Sequence, residues 1–325
     1  MSAPSSPVRK KTKVHAEAGH AEEESPGHAE EEPAEEPPAR PEFDILVPNI
    51  ATFVKICKAI TDSVDDFFVF TFTGREILLK QMGPGRATLL KFRYPCESEG
   101  KKELLEEQSR APPIFVVKSK FLTVLGNAID MCPDEVRFRT KLDGIEIRSI
   151  SEAGGSNDFV RAVCQEPNDV MGDLEYTRTV TIGKTSWMSM CRKAKDANEM
   201  TIMLTEKDQN DYIVFKTDDN SNTVFACGEK KDEQRKSARE RAKQMEALID
   251  YPWEKEEEVN YRGLFDPGLI DRLLKHLTGK ISCHFPSIKG APIMFTYNWG
   301  IRGCQFKYFV GEKVNTTDDL YEEED

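Results

Sequence analysis

The sequence predicts the same order of secondary-structure elements twice, and this internal repeat constrains the fold more than any other feature. Each copy begins with a strand and an amphipathic helix, continues with a meander of strands, and ends with a second amphipathic helix and more strands. The predicted helices are Thr52–Thr61, Lys118–Ile129, Lys184–Lys195 and Gly268–Leu277. Meanders combined with few helices predict an α+β protein of two similar domains, each with two helices on antiparallel sheets.

The repeat also sets the predicted domain boundaries. Domain 1 spans residues 42–163, domain 2 spans residues 176–313, and a connector at 164–175 joins them. The segments predicted to lie outside the two cores are a disordered charged tail at 1–41, a charged insertion at 229–258 within domain 2, and an acidic tail at 314–325.

Positive charge is gathered in the four predicted helices, although the whole chain has a formal net charge of −12. Asp271 is the only carboxylate within these segments, whereas ten basic residues fall there. The ten are Lys55, Lys58, Lys118, Lys120, Lys184, Arg192, Lys193, Lys195, Arg272 and Lys275. A chain with excess negative charge binds a polyanion only where its cations share one surface. The distribution therefore predicts a nucleic-acid interface on the helices.

Helical phase supports this interface, because residues advance by about 100° per position around a helix. In the first helix the apolar residues share one arc, and Lys55 and Lys58 project from the opposite side. The fourth helix repeats the arrangement with Arg272 and Lys275. Lys118 fits the pattern least well, since it lies at the start of its helix near the apolar arc. An ordinary solvated surface is the alternative for any one helix taken alone.

Several functional classes have no support in the sequence. No stretch reaches the roughly 18 apolar residues of a membrane span, and the first residues do not have the pattern of a secretory signal. The eight cysteines include no Cys-x-x-Cys pair, which favours reduced thiols over disulfides or zinc. His276 and His284 lie in predicted elements with no catalytic pattern around them. We therefore expect neither an enzyme nor a metal or other cofactor.

Five short segments, taken in their order and spacing, carry a family resemblance. They are Leu79–Met82, Glu175–Tyr176, Met190–Arg192, Ala291–Tyr297 and Phe306–Val310. With the four basic helices, they make the chain similar over about residues 43–313 to the sliding clamps of eukaryotes and viruses, typified by proliferating cell nuclear antigen. The resemblance implies a DNA-clamp fold in which three chains close into a ring, with sheets outside and helices around duplex DNA.

The resemblance implies a scaffold that performs no chemistry. A ring that contacts phosphates and not bases can slide, and it tethers a polymerase at high effective concentration. The implied partners are double-stranded DNA, a DNA polymerase, a clamp loader, other replication or repair proteins, and further copies of the chain in a homotrimer. The implied location is the nucleus, or a viral replication compartment. The basic run Arg9–Lys13 fits either a nuclear import signal or plain solvated charge.

In this family, partner proteins dock in an apolar pocket beside the connector. The positions that match this pocket are Met82, Arg86, Ala87, Leu89, Val170, Met171, Leu174, Pro292 and Phe309. Gly83–Arg86 departs from the family pattern, so the pocket need not share the family's usual peptide preference. The Gly-Pro-Gly run predicts a tight turn there rather than a phosphate-binding loop.

Two other binding functions fit the same fold. A checkpoint-type clamp would be one subunit of a heterotrimer, and a monomeric viral processivity factor would hold DNA on one basic face without a ring. The charged tail, the insertion and the altered pocket suggest an unusual lineage, such as that of a large DNA virus. If the chains do form a ring, the predicted contacts between them are strand edges near Asp158–Val163 and Thr223–Cys227.

Overall fold

Both copies of the predicted repeat lie within the part of the chain that the structure describes. The structure is a computed structural model, and it describes residues 43–98, 113–131, 135–152, 154–163, 174–194, 196–207, 210–218, 222–227, 246, 249 and 259–313. The two predicted tails, most of the predicted connector and nearly all of the predicted insertion therefore lie outside the described residues.

Four α-helices form where the sequence predicts them. They are α1 (Ile50–Ile60), α2 (Lys118–Met131), α3 (Lys184–Ala194) and α4 (Pro267–Leu274). The Asn49 side chain caps α1 by accepting from the amide of Thr52 at 3.3 Å, and Asp266 caps α4. Pro267 suits the first turn of α4 because its missing N–H would have no partner there. None of the helices in the described part of the chain is both long and apolar enough to cross a membrane.

The strands follow the predicted order, with two additions. They are β1 (Asp44–Leu46), β2 (Phe67–Phe72), β3 (Glu76–Met82), β4 (Thr88–Pro95), β5 (Glu97–Ser98), β6 (Ile114–Val117), β7 (Glu135–Lys141), β8 (Gly144–Ser151), β9 (Gly154–Val163), β10 (Tyr176–Ile182), β11 (Met200–Lys207), β12 (Asn210–Thr217), β13 (Asn222–Cys227), β14 (Val259–Phe265), β15 (Ile281–Pro286), β16 (Ile293–Tyr297) and β17 (Gln305–Val310). The sequence does not predict β5 or β6. The run that forms β6 is short and lacks polar alternation, so period alone does not separate it from the helix that follows.

Antiparallel pairing gives the two copies equivalent sheets. The first copy has the strand orders β9-β8-β7-β1 and β4-β3-β2-β6, and the second has β17-β16-β15-β10 and β13-β12-β11-β14. The second copy therefore repeats the first strand by strand. β17 pairs with β4 from Gln305 opposite Arg93 to Val310 opposite Thr88, so the last strand of the second copy joins the two copies in one continuous sheet.

Aromatic side chains fill the space between helices and sheets. The ring of Phe53 on α1 lies 5.0 Å from that of Tyr94 and 5.7 Å from that of Phe138, measured between centroids. The ring of Trp187 on α3 makes edge-on contacts with the rings of Phe215 and Phe295, each at 5.3 Å between centroids. Large aromatic rings bury much apolar area, and burial of that area is the main force that holds the helices on the sheets.

All four helices belong to one layer. α1 packs against α2, α3 packs against α4, and α4 also contacts the 3-10 turn Thr61–Ser63 that follows α1. The Tyr308 hydroxyl of β17 donates to the carbonyl of Leu269 in α4 at 2.9 Å, while the next residue, Phe309, points to the other side of the sheet. We call the exposed side of the helix layer the helix face, and the opposite side of the β3-β4-β17-β16 region the outer face.

Candidate nucleic-acid interface and docking face

The first helix presents its cations to solvent. Lys55 and Lys58 are exposed, whereas Phe53, Ile56 and Cys57 of the same helix are buried. Among the residues that the structure describes, no carboxylate forms a salt bridge with Lys55 or Lys58. Two exposed ammonium groups on one helix face attract a polyanion, and its binding breaks no salt bridge between described residues.

The second and third helices add further exposed cations. Lys120 on α2 and Arg192 and Lys193 on α3 are exposed. The ammonium group of Lys193 lies 3.3 Å from the hydroxyl of Thr223, a contact weak enough to exchange for a phosphate. The side chain of Lys184 and the whole of Lys195 lie outside the described part of the chain.

Lys118 has a different environment from the one predicted for it. Its ammonium group donates to the carbonyl of Thr61 at 3.1 Å and to that of Val64 at 3.2 Å. These contacts satisfy carbonyls at the end of α1 and tie α2 to α1. Its position around the helix, near the apolar arc, already distinguishes Lys118 from the exposed cations. Lys118 therefore has a structural role in the described chain, and we leave it out of the proposed DNA-binding surface.

The cations of the fourth helix meet a carboxylate that the sequence pattern did not single out. Lys275 lies 2.7 Å and His276 3.4 Å from Oδ2 of Asp62, which follows α1. Hydrogen bonds from Lys275 and then His276 lower the pKa of Asp62. Asp62 thus links the two copies and neutralises part of the positive charge on α4, where Arg272 is half-buried.

The outer face carries a row of apolar side chains on four neighbouring strands. Met294 of β16 lies opposite Phe309 of β17, Phe309 opposite Leu89 of β4, and Leu89 opposite Met82 of β3. Tyr176 packs against this row, with its ring centroid 6.3 Å from that of Phe309. We call this set the apolar row. It forms a small cluster separate from the main core.

The structure brings together part of the predicted docking pocket. Met82, Leu89 and Phe309 lie in the apolar row, and the carbonyl of Pro292 accepts a hydrogen bond from the Tyr176 hydroxyl at 3.1 Å. Arg86 and Ala87 are exposed at the turn that leads into β4, and Leu174 is half-buried before β10. Val170 and Met171 lie outside the described residues. Met294 and Tyr176 are additional members of the cluster, and each lies in a segment that carried the family resemblance.

The predicted tight turn is present beside this cluster. Pro84–Arg86 forms one 3-10 turn in which Gly85 has a φ of 71° and Arg86 a φ of 59°. A side chain at Gly83 would come within 2.0 Å of the Thr88 hydroxyl, so only glycine fits there. Gly83 thus allows the chain to enter β4 at the edge of the apolar row.

No metal site emerges from the geometry of the described residues. His284 is held between the hydroxyls of Thr179 and Thr296, each at 2.8 Å, and its pKa is lowered by burial and by the nearby charge of Lys307. In the part of the chain that the structure covers, no three His, Cys, Asp or Glu side chains are grouped as metal ligands.

Comparisons with known proteins give matches of structure but not of sequence. No protein-family model and no curated protein sequence matches the chain. Among solved structures, PCNA from Thermococcus kodakaraensis has a TM-score of 0.56 at 13% identity, covering 83% of this chain and 100% of that one. The proliferating cellular nuclear antigen of Entamoeba histolytica has a TM-score of 0.56 at 12% identity, covering 84% and 99%. The PCNA2–PCNA3 complex of Sulfolobus tokodaii gives 0.54 at 10% identity, with 84% and 99% covered.

The chain has the sliding-clamp fold. This finding confirms the α+β architecture and the resemblance inferred from the sequence. The identities are low, so the likeness concerns the fold and not the side chains, which differ from those of the solved structures at most positions. The functional assignment must therefore come from what those side chains do.

Proposed function

We propose that the chain is a DNA sliding clamp, a ring that encloses duplex DNA without reading its sequence and tethers replication and repair proteins. The observation that carries this proposal is the exposed positive charge of α1, which has no salt bridge among the described residues and is continued by Lys120, Arg192 and Lys193 in the same helix layer. A chain with a net charge of −12 repels DNA elsewhere, so the duplex is directed to this face.

The repeat supplies a way for the ring to close. Within one chain β17 pairs with β4, and the strands at the equivalent positions of the other copy are β9 and β13. β13 pairs only with β12, and residues 154–161 of β9 pair only with β8, within the described chain. An open β9 edge of one copy and an open β13 edge of the next would repeat the junction that β17 and β4 already make. We propose that three chains close head to tail in this way.

The ring would hold DNA by contacts that permit movement. Ammonium and guanidinium groups bind phosphate oxygens at any position along a duplex, so no base sequence is favoured. Each contact is individually weak and sensitive to salt. Topological closure, and not affinity, would then keep the clamp on DNA while it slides.

The outer face would receive the proteins that the clamp tethers. The apolar row offers an anchor site, and partners there would include a DNA polymerase, a clamp loader and other replication or repair proteins. Tethering raises the local concentration of an enzyme at DNA and needs no catalytic residue in the clamp. We place this activity where DNA is replicated, in the nucleus or in the replication compartment of a virus.

The DNA-binding surface is tested by a salt titration. The double variant Lys55→Gln/Lys58→Gln should weaken binding to duplex DNA, because each lost phosphate contact removes roughly 0.9 from the slope of log affinity against log salt. We expect the slope to flatten by up to about two for each chain that contacts the duplex. Affinity should be the same for duplexes of unrelated sequence.

The matched control is Lys289→Gln/Arg302→Gln, which removes two exposed cations from loops of the sheets. This variant should keep the wild-type slope. An unchanged slope in the helix variant, with the oligomer intact, would refute the helix face as the DNA-binding surface.

A further inference from the structure

A row of three lysines crosses the outer face next to the apolar row. Lys80 of β3 lies opposite Lys91 of β4, and Lys91 lies opposite Lys307 of β17. We call this set the lysine row. Like charges directly opposite each other on neighbouring strands destabilise a sheet, so an arrangement of this kind is stabilised when an anion lies over it.

The lysine row lies along a groove on the outer face. The groove has a volume of about 330 Å³, and Arg93 and Gln305 line it together with the three lysines. Arg93 is paired with Glu76, and Lys80 and Lys307 add positive charge that a carboxylate would meet there. Burial and then the charge of Lys307 lower the pKa of His284, which lies on β15, two strands away from Lys307.

The apolar row and the lysine row are adjacent on the same strands. Leu89 and Lys91, like Phe309 and Lys307, are two residues apart, which places them on one face at a separation of about 7 Å. The ammonium group of Lys91 lies 5.2 Å from the ring centroid of Phe309, so the two rows meet. A segment that fits this face has apolar side chains with carboxylates next to them.

The sequence after Lys313 has this composition. Residues 318–325 read Asp-Asp-Leu-Tyr-Glu-Glu-Glu-Asp, in which one apolar pair, Leu320 and Tyr321, is flanked by acidic residues on both sides. The chain leaves β17 beside the apolar row, where the amide of Gly311 donates to the carbonyl of Ala87 at 2.8 Å, and the amide of Lys313 then donates to the carbonyl of Leu264 at 2.7 Å. Leu320 follows Lys313 by seven positions, and an extended chain of that length spans up to about 24 Å.

We propose that the acidic segment 314–325 docks on the outer face of its own chain. Leu320 and Tyr321 contact the apolar row, and the flanking carboxylates lie over the lysine row. Partner proteins that use the apolar row must then displace the segment, so it regulates access to the clamp. This consequence rests on the proposed function, whereas docking itself does not.

The proposal is tested with a fluorescent peptide of residues 314–325 added to the full-length chain. The acceptor is a chain whose own segment is neutralised by Asp318→Asn, Asp319→Asn, Glu322→Gln and Glu323→Gln. We expect the peptide to bind this acceptor at least about ten-fold more tightly than it binds the wild-type chain, because the tethered wild-type segment competes at high effective concentration.

Variants of the outer face identify the docking site. In the neutralised acceptor, Lys80→Gln/Lys307→Gln should weaken peptide binding by about ten-fold or more and reduce its dependence on salt. Lys289→Gln/Arg302→Gln should leave peptide binding unchanged. A peptide with Leu320→Ala and Tyr321→Ala should also bind at least about ten-fold more weakly, since the apolar anchors are lost.

Three results would overturn the proposal: equal peptide binding by wild-type and neutralised chains, no loss with Lys80→Gln/Lys307→Gln, or equal binding of a scrambled peptide of the same composition. Thermal unfolding of each variant shows whether it is folded. Oligomer mass and duplex binding are measured on the same samples. If the peptide binds as expected but the chain forms no ring and does not bind duplex DNA, the proposed function is contradicted and the docking is not. If the ring and the DNA binding are observed but the peptide does not bind, only the docking is contradicted.

Discussion

Lys55 and Lys118 show how two lysines of similar sequence context acquire different roles. Lys55 projects into solvent without an ion pair in the described chain, whereas Lys118 donates to two backbone carbonyls at the end of α1. Charge counting treats the two residues alike. Helical phase already sets Lys118 apart, and the position of α2 relative to α1 gives its ammonium group the two carbonyls that it binds.

Asp62 provides a test at the scale of one residue. Its bonds to Lys275 and His276 lower its pKa, so its stabilising effect is complete above the ordinary pKa of aspartate and is lost as the pH falls through the lowered pKa. Asp62→Asn should therefore remove this loss at low pH and cost at most about 1 kcal/mol of unfolding free energy at neutral pH, because the pair is exposed.

The same substitution should strengthen DNA binding. Loss of the carboxylate frees Lys275 and removes a negative charge from the helix face, so we expect roughly two- to five-fold tighter duplex binding at low salt. Asp143→Asn, in the turn between β7 and β8, is the control and should change neither property. Weaker DNA binding by Asp62→Asn would show that Lys275 does not face the duplex.

At the scale of elements, the open edge of β9 carries the proposed contact between chains. Phe159 lies on this strand with 46% of its surface exposed, so part of its ring is available for contact with a neighbouring chain. Phe159→Asp should weaken association, so that the oligomer dissociates at protein concentrations where the wild type stays assembled. Sedimentation velocity across a dilution series measures this change.

Ile288→Asp is the matched control for that experiment. Ile288 is 62% exposed but lies in the loop between β15 and β16, away from the proposed strand edges. It should leave the oligomer unchanged. Equal dissociation of both variants, or of neither, would argue against β9 as an interface strand.

The sequence predicted elements well where their period was regular, and less well where structure depends on distant contacts. The helical spacing of the apolar Ile56 and Cys57 and the basic Lys55 and Lys58 is enough to predict which side of α1 is buried and which is exposed. The β6 strand was missed because its four apolar residues run directly into α2 without a break in pattern. A strand of this kind is defined by its pairing with β2 and β9, which no local pattern encodes.

The two functional faces were predictable to different degrees for the same reason. Helical phase identified most of the exposed cations, because a face of one helix follows from numbering alone. The apolar and lysine rows depend on the register between β3, β4, β16 and β17, which the sequence does not give. The family resemblance supplied Met82, Leu89 and Phe309, but it did not supply the lysines beside them.

At the scale of the whole molecule, one repeated fold places the basic helix face and the outer face on opposite sides of the sheets. Within the described residues, β17 pairs with β4, while the equivalent edges of β9 and β13 have no partner strand. A closed ring uses both open edges in every chain. A monomer or an incomplete set of subunits leaves them exposed to solvent, where strand edges promote association.

The mass of the purified full-length chain in solution tests this account most directly. Light scattering coupled to size separation should give three times the chain mass of 36.9 kDa at micromolar concentration, without DNA or any other protein. That result supports a homotrimer closed through β9 and β13. A mass of one chain under the same conditions would contradict the closed homotrimer, and would favour either a heteromeric clamp or a monomeric processivity factor.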